Sequence, residues 1–204
     1  MAPIIARGIL FGMLRSSARW LPLLLAPALA LTLVPLRAAP QDRTPNLAPF
    51  VPTPQEVVDR MLRLASVTKD DVVYDLGSGD GRIVISAAQQ YGARGVGVDI
   101  DPLRIAESEA NAKRAGVSHL VTFKRQDALQ TDVSDATVVT LYLLSASNLK
   151  LRPILTRQLK PGARIVAHAF GMGDWKPARV DTFTDSSHSP RTLYLWIADG
   201  TVRP

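Results

Sequence analysis

The chain reads as an α/β fold: a seven-stranded sheet, mostly parallel with an antiparallel C-terminal strand, and helices on both faces. Three observations predict it. Short apolar strands alternate with amphipathic helices, the pattern of βαβ units and of a sheet covered on both sides. A glycine-rich turn follows the first strand and opens directly into a helix. The closing strands, residues 180–183 and 193–197, are separated only by the loop 184–192, too short for a crossover helix, so this pair must be antiparallel.

The folded part begins at Thr53-Pro54-Gln55-Glu56. Thr53 is placed to cap a helix, Pro54 suits the first helical position, and Glu56 stands where a capping box wants a carboxylate. Val57, Val58, Met61, Leu62 and Ala65 then recur at helical spacing. Val72-Val73-Tyr74-Asp75 is a short buried strand running into Leu76-Gly77-Ser78-Gly79-Asp80-Gly81, after which a helix spans 82–90 and stops near Gly92. Residues 95–99 form a second strand. Asp101-Pro102 caps a helix that runs to Gly116. A third strand at 120–123 ends near Asp127, and the β-branched run 136–143 makes a fourth. A helix over about 148–159 ends at Lys160-Pro161-Gly162, and 163–169, 180–183 and 192–197 complete the strands.

Ahead of this domain, residues 20–36 are uncharged and mostly apolar, preceded by Arg15 and Arg19. A basic flank before an apolar run predicts a secretory signal peptide or a short membrane anchor over 1–39. On either reading the domain is exported or membrane-associated, and a start at Met13 would give a leader of more typical length; the domain is cytoplasmic only if the assigned start is wrong. Residues 40–52, rich in Pro, Gln, Asp and Asn, read as a linker, and 53–204 as the domain.

The formal net charge is +6 among 204 residues. Four of the 24 basic residues, Arg7, Arg15, Arg19 and Arg37, and none of the 18 acidic ones fall in residues 1–40, which leaves +2 for the remainder. A nucleic-acid footprint needs clustered Lys and Arg on the folded domain, so no nucleic-acid partner is expected. With no cysteine, disulfides, thiol nucleophiles and Cys-ligated metals are excluded. His119, His168 and His188 stand too far apart in sequence for a helical metal pair, and no metal is expected.

The segment Asp75-Leu76-Gly77-Ser78-Gly79-Asp80-Gly81 carries the chemistry. Glycines after a buried strand let the backbone approach a ligand closely, and the helix that follows presents free N–H groups. A dinucleotide loop would be G-x-G-x-x-G; here the third glycine comes one residue early and Arg82 takes its place. Asp75 beneath the loop repels a pyrophosphate and attracts a cation, which favours S-adenosylmethionine, with its sulfonium and ammonium, over a nicotinamide dinucleotide. Asp99, with Ile100 beside it, ends the second strand, where an acid can accept two ribose hydroxyls. Asp127 ends the third strand and is placed to accept from an adenine amino group, with the Ala128 N–H donating to a ring nitrogen. Gly77, Ser78, Gly79 and Asp80 complete the expected cofactor loop. Thr53 is a candidate cover for the methionine end, with helix capping as its other reading.

Residues of about 51–183 resemble a class I S-adenosylmethionine-dependent methyltransferase. More narrowly, Val51-Pro52-Thr53-Pro54, the run from Gly95 to Asp101-Pro102, Ala136-Thr137-Val138-Val139-Thr140-Leu141-Tyr142-Leu143-Leu144 and Gly173-Asp174-Trp175-Lys176-Pro177 resemble the family of the mitochondrial ATP-synthase c-subunit lysine methyltransferase and its bacterial relatives. The resemblance implies a Rossmann-like methyltransferase sheet, a protein-lysine substrate in a membrane protein, and a membrane-associated N-terminal segment. Ser145 departs from the proline usual in the family, and Ala169 lies near a usual aspartate.

Methyl transfer to an amine needs a neutral nucleophile held on the axis of the sulfonium methyl, so positioning dominates, and an apolar pocket helps a lysine shed its proton. The loop after the fourth strand is where the acceptor arrives. Tyr142 would orient the amine through its hydroxyl or ring face. Asn148 accepts a hydrogen bond there or caps the helix. His168 accepts a proton or is a satisfied core residue. Trp175 walls the pocket or simply packs. The competing functions are a small-molecule methyltransferase, a nucleotide-cofactor oxidoreductase and a non-catalytic exported domain that kept the fold.

Overall fold

The computed structural model describes residues 47–204. The expected leader over 1–39 and residues 40–46 of the expected linker lie outside the described residues. Seven strands form one sheet: β1 (Val72–Leu76), β2 (Arg94–Asp99), β3 (Val121–Arg125), β4 (Val138–Leu141), β5 (Arg164–His168), β6 (Arg179–Thr184) and β7 (Pro190–Ile197). Their order is β3-β2-β1-β4-β5-β7-β6. β1 pairs parallel with β2 and β4, β2 with β3, and β4 with β5. β7 inserts antiparallel between β5 and β6, as the short closing loop requires.

Strand alternation divides the core in two. Val73, Val138, Val166 and Leu193 face helices α1 (Gln55–Leu64), α2 (Arg82–Tyr91) and α3 (Pro102–Arg114), where Met61, Leu62 and Val84 are fully buried. Tyr74, Val139, Leu141, Ile165 and Trp196 turn to the other face, which α4 (Ser145–Gln158) covers with Leu151 and Leu155. Each such side chain contributes roughly 1.5–3 kcal/mol by leaving water. Among the described residues no helix is long and apolar enough to cross a membrane.

Helix starts follow local chemistry in one case and tertiary demands in two. Asp101 Oδ1 accepts from the Leu103 N–H at 2.8 Å and Pro102 follows it, as expected. At α1 the N-cap is Pro54 and no side chain caps it, so Thr53 is not a capping residue. The Glu56 carboxylate, expected to close a capping box, instead accepts from the Ser186 N–H at 2.9 Å, tying α1 to the β6–β7 turn. The fourth helix begins at Ser145, three residues before the expected start, with Leu144 as N-cap. Asn148 therefore lies inside the first turn and does not cap it.

Candidate active site

The carboxyl ends of β1, β2, β3 and β4 open onto a cleft with about 870 Å³ of empty space, at the sheet edge where open α/β folds bind ligands. All ten cofactor-site residues predicted from the sequence line it: Thr53, Asp75, Gly77, Ser78, Gly79, Asp80, Asp99, Ile100, Asp127 and Ala128. They converge because the loop after β1, the β2 end and the β3 end are neighbours in strand order.

Asp75 lies one residue from the end of β1, 3 % exposed. Thr140 Oγ1, in the paired position on β4, donates to its Oδ1 at 2.8 Å. Burial, with lesser repulsion from Asp99 and Asp80, pushes the carboxyl up to about 7, against the opposing pull of the Thr140 hydrogen bond. Asp99 is stapled into the loop: Oδ2 accepts from the Gly79 N–H at 2.8 Å and Oδ1 from the Asp101 N–H at 3.0 Å. Each oxygen retains a second lone pair for a ligand hydroxyl.

Asp80 is not a free acid. Arg82 holds it through Nε at 2.9 Å and Nη2 at 2.5 Å. Burial acts to raise this carboxyl, and the guanidinium overrides it, leaving Asp80 below its ordinary range. Asp127 Oδ1 accepts from the Leu129 N–H at 2.9 Å and caps the 3-10 turn Ala128–Gln130. Ser78 Oγ is buried without a partner. Gly97 makes room for it: a Cβ there would stand 2.8 Å from Ser78 Oγ and 2.5 Å from the Phe123 ring.

These residues fit a cationic adenosyl cofactor. A buried carboxyl at the cleft floor, hydrogen-bonded by a neutral hydroxyl and facing two further acids, is short of a cation. Among the described residues, the two arginines lining the cleft are committed, Arg82 to Asp80 and Arg104 to Glu107 at 2.5 Å. Among the described residues lining the cleft, a pyrophosphate would meet acids and no unpaired arginine.

The acceptor-side residues divide. Tyr142 lines the cleft. His168, the last residue of β5 and 1 % exposed, stacks against it with ring centroids 4.1 Å apart. Burial, and then Arg191, hold this imidazole down at about 4, so it is neutral at pH 7, with Nδ1 unpartnered. Asn148 is fully buried and donates through Nδ2 to the carbonyls of Phe170 at 3.0 Å and Gly171 at 3.4 Å, while Oδ1 has no partner. It thus pins the loop after β5, which follows directly on His168, to α4. Trp175 does not line the cleft. It packs 6.0 Å from Trp196, accepts through its carbonyl from Trp196 Nε1 at 2.8 Å, and carries Arg203 over its ring at 4.6 Å. Its neighbours there include Arg152 and Lys176, in a separate depression.

Four contributors escaped the sequence reading. Residues 47–52, read as linker, have no helix or strand and run along the cleft, with Leu47, Phe50 and Val51 among its lining. Arg82, which braces both the loop and the segment above it, and Arg104, which holds the segment through Phe50, are two more. Leu143, just past Tyr142, touches the space over Gly77. The apolar pair Phe50-Val51 before Pro52 was the available signal, since solvated linkers seldom carry an aromatic.

The family model of the ANTKMT methyltransferase domain matches residues 75–179. A protein-lysine N-methyltransferase of Saccharolobus islandicus is 44% identical over 150 residues, spanning 73% of this chain and 92% of its own length. The human ATP synthase c-subunit lysine N-methyltransferase is 32% identical over 132 residues, 65% of this chain and 56% of that protein. Among solved structures, one described as an RNA methyltransferase from Salinibacter ruber in complex with S-adenosyl-L-homocysteine is 54% identical. It has a TM-score of 0.70 and covers 75% of this chain and 97% of that one.

Proposed function

The chain belongs to the ANTKMT methyltransferase family, and from that premise we propose that this S-adenosylmethionine-dependent methyltransferase acts on lysine side chains of a protein. One observation carries the reading: an acid-floored cleft, short of a cation, opens beside a neutral aromatic pair. When bound, S-adenosylmethionine supplies a methyl group made electrophilic by the sulfonium. The chain's residues do the rest. Asp75 and Asp99 attract and orient a cationic, hydroxyl-bearing ligand along the loop. Tyr142, backed by the uncharged His168, offers a ring face to an approaching amine and no fixed charge to hold it as ammonium. His168, neutral and nearly inaccessible, is too weak a base to take a proton from a lysine ammonium, so the amine sheds its proton to solvent as the pocket desolvates it. Asn148 sets the loop that carries this pair.

The relatives named above support protein lysine as the acceptor, and the Salinibacter ruber structure gives a specific reason to test RNA as well. The cleft's arginines, both engaged by carboxylates, favour the protein reading over a phosphate backbone. Incubation with methyl-labelled S-adenosylmethionine, a membrane-protein fraction and total RNA, with mass spectrometry of both, tests it. Label on lysine side chains is expected; label confined to RNA, or to small molecules, overturns the acceptor. The expected leader and any membrane association belong to the same proposal, tested by fractionating the expressed full chain.

A further inference from the structure

We propose that residues 47–53 are a clasp that closes over the bound cofactor, with Phe50 and Arg104 as its holding pair. The inference rests on the reading of the cleft as the S-adenosylmethionine site. The segment is anchored at its two ends and nowhere forms helix or strand. At one end Ser147 Oγ, in the first turn of α4, donates to the Leu47 carbonyl at 2.5 Å. At the other, Arg82 Nη1 donates to the Thr53 carbonyl at 2.7 Å. Between these anchors the chain borders the cleft that Asp75 and Asp99 also line.

Phe50 is the part of the segment with a specific seat. Its ring lies against the Gly79 backbone, where a Cβ would collide with it. The Arg104 guanidinium stands 4.5 Å from its centroid. Yet Phe50 as a whole is 45 % exposed. Core burial does not put a large aromatic half into water above a polar glycine loop. A ligand lying in the cleft below would bury its free surface and supply the missing contact. The anchors also join the two sides of the reaction, because Arg82 braces the cofactor loop through Asp80 while Ser147 follows the acceptor loop.

Hydrogen exchange of the full chain with and without saturating S-adenosylhomocysteine tests this, together with calorimetric affinities. The expected result is that amides of 47–53 exchange several-fold more slowly with ligand, while those of β5 are unchanged. Phe50→Ala should weaken the ligand about tenfold, as loss of one buried aromatic contact implies, through faster dissociation; Phe50→Trp should restore most of it. Arg104→Gln should give a smaller loss. Unchanged exchange at 47–53 in a wild-type protein that binds the ligand overturns the clasp, as does an unaltered affinity in Phe50→Ala. A wild-type protein that binds no S-adenosylhomocysteine overturns the cofactor reading itself. If Phe50→Ala unfolds, the wild-type exchange result and Arg104→Gln decide.

Discussion

Asp75 makes cofactor binding depend on protons in a calculable way. Its carboxyl, at about 7 in the free protein through burial and the nearby Asp99 and Asp80, is half protonated at neutral pH. Among the described residues, the other charged groups around the cleft are Asp101, Asp127, Arg82 and Arg104, the arginines paired as described. A cationic ligand beside Asp75 favours the ionised form and returns its pKa toward the usual carboxylate range. Affinity then falls as pH drops through 7, approaching tenfold per pH unit. Between pH 7 and 5.5 the ionised fraction falls from about one half to about 3 %, so the dissociation constant should rise about sixteenfold. This window lies below the titration of the ligand's own α-amino group. Calorimetry at pH 6 in two buffers of different ionisation enthalpy should report about 0.9 proton released per ligand bound. Asp75→Asn should abolish both the slope and the proton release. The sign for stability runs the opposite way: a carboxyl raised above its unfolded value costs stability as pH rises from about 4 to 7, up to roughly 4 kcal/mol. Asp75→Asn without ligand should therefore melt higher than wild type at pH 8. A flat affinity between pH 5.5 and 7 with no proton exchange would refute the reasoning.

Three further outcomes are expected. Tyr142→Phe should retain most of the acceptor turnover and Tyr142→Ala should lose about a hundredfold in kcat/KM, with S-adenosylhomocysteine affinity within about threefold of wild type in both; parallel loss of cofactor affinity would count against an acceptor-side role. Gly97→Ala forces a methyl against the Phe123 ring and Ser78, and should cost about 1–3 kcal/mol by overpacking, read by urea unfolding. Asp71, 5 % exposed, accepts from Thr137 Oγ1 at 2.6 Å and from Thr68 N at 2.8 Å and pairs with Arg164 at the opposite edge of the sheet from the cleft. Asp71→Ala leaves that arginine only the Thr137 carbonyl and takes the acceptor from the Thr137 and Thr68 donors, and should cost about 2–3 kcal/mol, with cofactor affinity unaffected in the folded fraction.

Much of the site could be read before folding because its parts are local. A glycine turn, the strand before it and the helix after it are contiguous, so Gly77, Gly79 and Asp75 declare their neighbourhood in a dozen residues. Asp99 and Asp127 follow because parallel strands joined by right-handed crossovers bring successive strand ends to one edge. Asn148 was open to misreading for the opposite reason. An asparagine before a helical run is a capping signal, but this side chain is itself fully buried and takes the part-buried carbonyls of Phe170 and Gly171, 22 and 23 positions away, as its acceptors. Trp175 sits in a segment that resembles the family, yet its path back along the sheet takes it to Trp196 and Arg203, away from the cleft.

Periodicity, loop length and the glycine turn with its strand-end aspartates therefore determined the sheet, its covering helices, the antiparallel closing pair and the acid-lined cofactor edge, since each depends on neighbours along the chain. Only the tertiary structure decided that β7 lies between β5 and β6, that His168 meets Tyr142, and that residues 47–52 border the cleft. Those outcomes join residues far apart in sequence, and they are settled by which distant groups must be buried together and hydrogen-bonded once the sheet has formed.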